Sequence, residues 1–369
     1  MLKFLNLKPE IFGIDINDLS LRIIKLQKKR KGFSIVSFND VDVAPGIVKE
    51  GVIQNDVSLS KIISMACSTV HGQELGTKYV VVSLPEEKSF SQVIQMPKMT
   101  EDELKLAVPF EAENYIPLPI EKAYLDFQVI DYHKDNSNHL DLLINVMPRP
   151  IIDSYVSCFK KIGLSPCILE VESQSIVRVL TRNNEKTLPT IFVDFGETKT
   201  GLIVHSENSI RFTVTVPISS SQLTSAISES LGISFGAAEK LKIQHGLNKS
   251  SIRVGNIASA MMPILSNLAE QIKKYLDFYQ GHSSHEYFPS GGMVKKVVLC
   301  GGGSNLKGLA EFLLKKLNIP VELGDPLVNI LKDRNDLFPR NKALSFGTAM
   351  GSALRGASDT YLNSYSDNI

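Results

Sequence analysis

GIDINDLSLRIIKL, from Gly13 to Leu26, and VDFGETKTGLIVH, from Val193 to His205, read alike. Each is an apolar run ending in an aspartate, then an apolar residue, a polar turn and a second apolar run, the pattern of a strand, a tight turn and a strand. The aspartates, Asp15 and Asp194, stand 179 positions apart in a chain of 369 residues. Two halves opened by the same acid-bearing hairpin imply paired α/β lobes with a cleft between them.

Outward from the first hairpin, Phe33 to Phe38 completes a meander, and a helix capped near Asn55 carries Leu59, Ile62, Ile63 and Ala66 on one face. A strand at Tyr79 to Leu84 precedes Thr100 and Glu103, a capping box over a helix that runs toward Tyr115 and is stopped by Pro117 and Pro119. Strand patterns at Tyr124 to Tyr132 and Leu140 to Pro148 flank the polar stretch HKDNSNH. The region at about 31–148 therefore reads as a small α+β unit inserted into a first lobe of 1–188. After helix, strand and helix up to Leu180 comes a polar linker, Thr181 to Thr187. A second lobe of 189–356 opens with a meander at 190–216 and holds helices at 222–231, 234–245 and 257–279 in a helical subdomain of about 219–290. It closes with a strand at Lys296 to Cys300, a helix at Leu309 to Leu317 and a frayed tail at 357–369.

Composition narrows the function classes. Forty Lys and Arg against 39 Asp and Glu leave a formal charge of +1, so no global field favours nucleic acid or a membrane surface. No apolar run approaches the roughly 20 residues that span a bilayer, and MLKFLNLKPE is too interrupted for a secretory signal. Cys67, Cys158, Cys167 and Cys300 lack any zinc-like or CxxC spacing and read as reduced thiols of a cytosolic protein.

The chemistry concentrates in four places. Asp194, Gly196, Glu197, Thr198, Lys199 and Thr200 form a small-residue turn beside a carboxylate, which suits phosphate oxygens and a water-bridged Mg²⁺; an ordinary hairpin has the same composition. Cys300-Gly301-Gly302-Gly303-Ser304-Asn305 follows a strand and precedes a helix, so a base or sugar can rest on bare backbone. Glu239 and Lys242 share a helical face, where a carboxylate can meet ribose hydroxyls and a lysine stem a purine, or the two can simply pair in solvent. Glu172, at a strand-to-helix junction, is a water-orienting candidate or a helix-start charge. Gly232 to Gly236 matches the G-x-S-x-G hydrolase pattern, but a helix precedes the serine where a strand is needed. His282 and His285 have no third ligand in sequence.

In order along the chain, the Asp15 hairpin, the Asp194 hairpin, the E-x-x-K helix and the GGG turn resemble the actin-like ATPases. The phrase MPKMTEDELKLAVPFEAENYIPLPIEKAYLDFQVI, from Met96 to Ile130, narrows the resemblance to the PilM family of cytoplasmic type IV pilus assembly components, relatives of the division protein FtsA. That resemblance implies an α/β, actin-like (ribonuclease-H-like) two-lobed ATPase fold with an inserted small α+β subdomain. It implies ATP in the interlobe cleft, with Asp15, Asn17, Ser20 and Arg22 of the first hairpin joining the second-lobe residues, and Asp15 and Asp194 holding Mg²⁺ through water. It implies a partner in the N-terminal cytoplasmic tail of PilN, further platform and motor proteins, and a place at the inner face of the cytoplasmic membrane held through partners. Where the family has Gly and small hydroxyl residues after the first Asp, this chain has Asn17, Asp18 and Leu19; Asp18 is expected to oppose phosphate. The partner groove is expected at Tyr115, Ile116, Pro117 and Leu118, a rigid apolar edge suited to an extended peptide. Two competing readings are a small-molecule kinase of the same fold, for which the insertion offers no acceptor site, and an FtsA-like membrane-tethered filament, for which YLNSYSDNI is a poor anchor.

Overall fold

A computed structural model describes residues 9–131, 139–182, 188–206, 208–248, 252–282, 293–332 and 337–358. HKDNSNH apart from its final His139, most of the expected linker, His285 and the tail beyond Ser358 lie outside the described residues. The chain divides into two compact units, one of Met1–Lys88, Pro148–Asn183 and Asp325–Ile369, the other of Ser89–Met147 and Asn184–Gly324.

In chain order the first unit supplies β1 (Phe12–Ile16), β2 (Ser20–Lys29), β3 (Gly32–Asp42), a small hairpin of β4 (Val48–Lys49) and β5 (Val52–Ile53), α1 (Asp56–Ser68), β6 (His71–Gly72) and β7 (Tyr79–Leu84). The chain then builds β8 (Phe90–Pro97), α2 (Glu101–Ala112), β9 (Ala123–Asp131) and β10 (His139–Pro148) before returning with α3 (Arg149–Lys160), β11 (Ser165–Val171) and α4 (Glu172–Leu180). The second unit continues with β12 (Thr190–Phe195), β13 (Thr200–Ser206), β14 (Ser209–Val216), α5 (Ser220–Leu231), α6 (Phe235–His245), α7 (Ile252–His282), β15 (Lys296–Cys300), α8 (Leu309–Leu317) and β16 (Val321–Leu323). A last described helix, α9 (Gly347–Ala357), belongs to the first unit.

The duplication read from the hairpins is present in the strand orders. The first sheet runs β11-β7-β1-β2-β3-β6 and the second β16-β15-β12-β13-β14-β8-β10-β9. In each, an antiparallel meander (β1-β2-β3, β12-β13-β14) is extended beside its first strand by parallel strands (β7, β15). The sequence explains the local ends. Asn55 accepts from the Ser58 amide to start α1, and Thr100 and Glu103 exchange both bonds of the capping box at α2. Gly232 ends α5 in a left-handed conformation and Ser234 caps α6, so the G-x-S-x-G stretch is a helix junction and not a nucleophile elbow.

The inserted unit differs from its expected bounds. β3, α1, β6 and β7 belong to the first unit, leaving Ser89–Met147 as the insertion. That insertion extends the second unit's sheet, since β8 lies between β14 and β10 with Phe212 opposite Gln92. Buried Asp141 on β10 accepts from Gln95 Nε2 at 3.1 Å and faces buried Arg211 of β14 at 3.8 Å. Its own core gathers Ile94, Leu104, Val108, Ile116, Leu142 and Ile144. In the second unit α7 presents Met261, Leu265, Leu268, Ile272 and Leu276 at helical spacing to one buried cluster, each worth roughly 1.5–3 kcal/mol when fully buried.

Candidate functional site

Asp194 sits opposite Gly201 on β13 and Cys300 on β15. The next residues turn sharply, with the Gly196 amide donating to the Lys199 carbonyl at 2.9 Å. The carbonyls of Gly196 and Glu197 accept from the amides of Ser220 and Ser221 at 2.9 and 3.1 Å, so the hairpin turn satisfies the exposed donors at the start of α5. Lys242 of α6 then holds α5: its Nζ donates to the Ser220 carbonyl at 3.0 Å, Ser220 Oγ at 2.7 Å and Thr224 Oγ1 at 2.9 Å, and pairs with Glu239 at 2.8 Å. Thr224 Oγ1 donates to Glu239 at 2.5 Å. Lys242 is buried and its donors are committed, so it positions Glu239 and does not lay its stem on a purine. Glu239 keeps 37% of its side chain exposed, enough to accept from a sugar hydroxyl.

The glycine turn packs on the same hairpin. A side chain at Gly301 (φ +78) would place Cβ 2.4 Å from Asp194 Oδ1 and 2.7 Å from the Phe195 carbonyl, and one at Gly303 would meet that carbonyl at 2.7 Å. Glycine at both positions is what allows the turn to close on β12. Gly302 stays exposed at the tip. The residues that follow the glycines bond back onto the turn. Ser304 spends its hydroxyl on the Cys300 carbonyl (2.5 Å) and Asn305 Nδ2 donates to the Gly302 carbonyl (3.1 Å). The run itself enters a 3₁₀ turn, Gly302–Asn305, and α8 starts only at Leu309, so the helix start is not aimed from the glycines. Thr200 is likewise committed, its buried hydroxyl donating to the Ile218 carbonyl at 2.5 Å, whereas Glu197 and Thr198 lie exposed on the turn and Lys199 is half-buried.

In the first unit Asp15 is buried on β1, accepting from Ser83 Oγ of β7 at 2.7 Å and Asn17 Nδ2 at 2.8 Å. The Asn17 amide closes the turn onto the Ser20 carbonyl at 2.8 Å. Asp18 does not stand as a loose charge: its carboxylate accepts from the amides of Glu50 and Gly51 at 2.8 and 3.0 Å, anchoring the β4-β5 hairpin. The expected repulsion of phosphate is thus answered by two backbone donors. Arg22 Nε lies 3.2 Å from Asp40 and its guanidinium 5.9 Å over the Phe346 ring, so its charge is neutralised within the protein. Glu172 is buried at the start of α4 and accepts from the Glu86 amide at 3.4 Å, while Glu86 caps the Ser173 amide at 3.0 Å. That reciprocal exchange gives Glu172 a helix-start role.

The expected partner edge runs from the insertion's core to its surface. Ile116 is a buried member of the insertion's core, with Tyr115 and Leu118 packed against it and Pro117 exposed. Sequence reasoning missed Ser83, Ser220, Ser221 and Thr224; the S-x-x-Q box at Ser219 to Gln222 was the available signal for the last three. Within the second unit the structure gathers Asp194, Gly196, Glu197, Gly301, Gly303, Glu239 and Lys242 into one bonded or close-packed network. Within the first it gathers Asp15, Asn17 and Ser20.

Among the described residues no group of three or more His, Cys, Asp or Glu side chains could hold a metal directly, and no helix is long and apolar enough to cross a membrane. Burial raises the thiols of Cys158 and Cys167, pushes Cys67 up to about 12 and carries Cys300, beside Asp194, well above its ordinary value. Native protein at pH 8 is therefore expected to take up iodoacetamide far more slowly than the urea-unfolded chain at all four positions. Mass spectrometry of each cysteine peptide checks this, and rapid native labelling of Cys67 would refute it.

A mixed sheet with one strand order in both units and an acid at the end of each first hairpin strand gives an actin-like fold, and similar structures carry the same fold. The solved PilM-PilN type IV pilus biogenesis complex aligns with a TM-score of 0.79 at 24% identity, covering 95% of this chain and 99% of that one. MreB 5 of Spiroplasma citri bound to AMPPNP aligns at 0.58 and 11% identity, covering 98% and 99%. Residues 13–357 match the family described as type IV pilus assembly protein PilM, and the chain belongs to that family. The cell division protein FtsA of Neisseria meningitidis serogroup B is 23% identical over 267 residues, 65% of this chain and 63% of that protein. The alignment thus spans under two thirds of the curated relative.

Proposed function

We propose that this chain is an ATP-binding scaffold of the type IV pilus inner-membrane assembly platform, recruiting the N-terminal tail of PilN and coupling nucleotide state to assembly. Membership of the PilM family supports the setting, and the partner is carried over from the PilM-PilN complex. The observation that carries nucleotide binding is the Asp194 network: a hairpin turn, a side-chain-free glycine turn closed on it, and a partly exposed Glu239 held by buried Lys242. These residues suit a nucleotide. Gly301 to Gly303 would take the adenosine side, Glu239 the ribose hydroxyls, and the Gly196 to Thr198 turn the phosphates. Asp194 and Asp15 would each contribute one carboxylate, which suits Mg²⁺ that keeps its water shell. The bound ion would neutralise phosphate charge, and the protein's own part is to bind and orient. With Glu172 committed to capping, hydrolysis is expected to be slow. The place of work is the inner face of the cytoplasmic membrane, reached through PilN.

Calorimetry tests the reading. Asp194→Ala is expected to weaken Mg-ATP on the order of tenfold while changing metal-free ATP less. Gly302→Val, at an exposed position, should block the adenosine side while leaving the melting temperature unchanged. Two folded variants that bind Mg-ATP like the parent would remove the nucleotide assignment. A synthetic PilN tail that fails to bind the folded parent, with and without Mg-ATP, would remove the partner.

A further inference from the structure

Helix α2 breaks several local rules on its outward side. Leu104, Val108 and Ala112 face the insertion's core, while Leu106 and Phe110, one turn apart on the opposite side, are 74% and 76% exposed. Pro109 interrupts the helix ladder, since it has no amide to donate to the Lys105 carbonyl. Glu111 and Glu113 put negative charge at the helix end where the macrodipole favours cations, and the last turn holds no basic residue. From Thr100 to Asn114 there are five acids and one lysine, a local charge of −4 in a chain of +1. That lysine, Lys105, is paired with Glu101 and Asp102. Exposed apolar knobs, a helix-breaking residue and unfavourable charge all lower the stability of α2 taken alone. Such concentrated local conflict is the mark of a surface kept for a partner.

We propose that the outward face of α2 is a docking site for a basic amphipathic helix of another protein. Leu106 and Phe110 form an i, i+4 ridge that seats between the apolar side chains of a facing helix. Asp102, Glu103 and Glu113 border the ridge and select Lys and Arg around those side chains. The same charge repels an anionic lipid surface. The site is separate from the nucleotide network and does not depend on that reading.

The probe is a fluorescently labelled 15-residue Leu/Lys peptide with its leucines on one helical face, compared with a same-composition peptide whose leucines are scrambled around the helix. Anisotropy on the full chain is expected to show saturable, salt-weakened binding of the amphipathic peptide and at least tenfold weaker binding of the scrambled one. Leu106→Ser with Phe110→Ser should reduce the former at least tenfold, with circular dichroism, melting and Mg-ATP affinity unchanged because both side chains are exposed. Glu113→Gln with Asp102→Asn should also weaken it and flatten its salt dependence. Equal affinity for both peptides, or an unchanged affinity in the folded Leu106/Phe110 variant, overturns the proposal. So does sedimentation showing that the face is covered by a second copy, as a concentration-dependent dimer lost in the same variant.

Discussion

Gly351→Ala is expected to destabilise the first unit by at least about 3 kcal/mol, the upper end of overpacking costs. A Cβ there would lie 2.0 Å from the Ser175 carbonyl oxygen, where α9 meets α4 backbone to backbone. Neither atom can rotate aside, so the helices must part. The contact is also tied by Arg178, whose Nη1 reaches the Gly351 carbonyl at 3.0 Å and Glu170 at 2.6 Å. Gly13 makes the matching approach on the other side of α9, with a Cβ falling 2.4 Å from the Ala353 amide nitrogen. Gly347→Ala is the control: its nearest neighbour would be Val179 Cγ1 at 4.0 Å, and the substitution should be neutral or stabilising by up to about 1 kcal/mol. Urea unfolding of the three proteins decides it. A Gly351→Ala variant as stable as the control would show that α9 is not seated as described.

Acid is expected to unfold the second unit through His205. Burial, reinforced by the Arg211 charge, lowers this imidazole from 6.5 to about 4. The unfolded chain takes up the proton below pH 6.5 while the folded chain refuses it until about pH 4. Stability is therefore full above 6.5 and falls as pH drops through this window. The loss reaches about 3 kcal/mol, since each pH unit between the two values costs about 1.4 kcal/mol. Urea midpoints between pH 7.5 and 4.5 should show this slope in the parent and lose most of it in His205→Phe. Parallel slopes in the two proteins would clear His205 of the effect.

The elements legible in the sequence were those whose pattern is set locally. β12, α8 and the Asn55 and Thr100 caps follow from alternation, helical spacing and side-chain acceptors. β8 went unread beside the stronger capping signal that follows it. α9 went unread because GTAMGSALRGA carries three glycines, poor helix formers in isolation, and its helicity is imposed by packing on β1 and α4. The insertion's bounds are not legible for a related reason, since only pairing shows that β3 and β7 belong with β1. At the site, residue types located the Asp194 turn, the glycine turn and the Glu239 helix. They could not show which donors the fold consumes. Thr200, Ser304 and Lys242 have the right chemistry for a ligand and spend it on protein partners.

The first unit is assembled from three separated stretches of chain, and α9, which covers the Gly13 face of β1, is synthesised more than 300 residues after that strand. At ribosomal speeds of about 5–20 residues per second, β1 and β7 wait for tens of seconds with an apolar face exposed, while the stretches of the second unit have already emerged. Newborn chains should therefore pass through a stage in which one half is folded and the other is sticky. A trigger-type chaperone arriving in that interval would find its target at the N-terminal sheet.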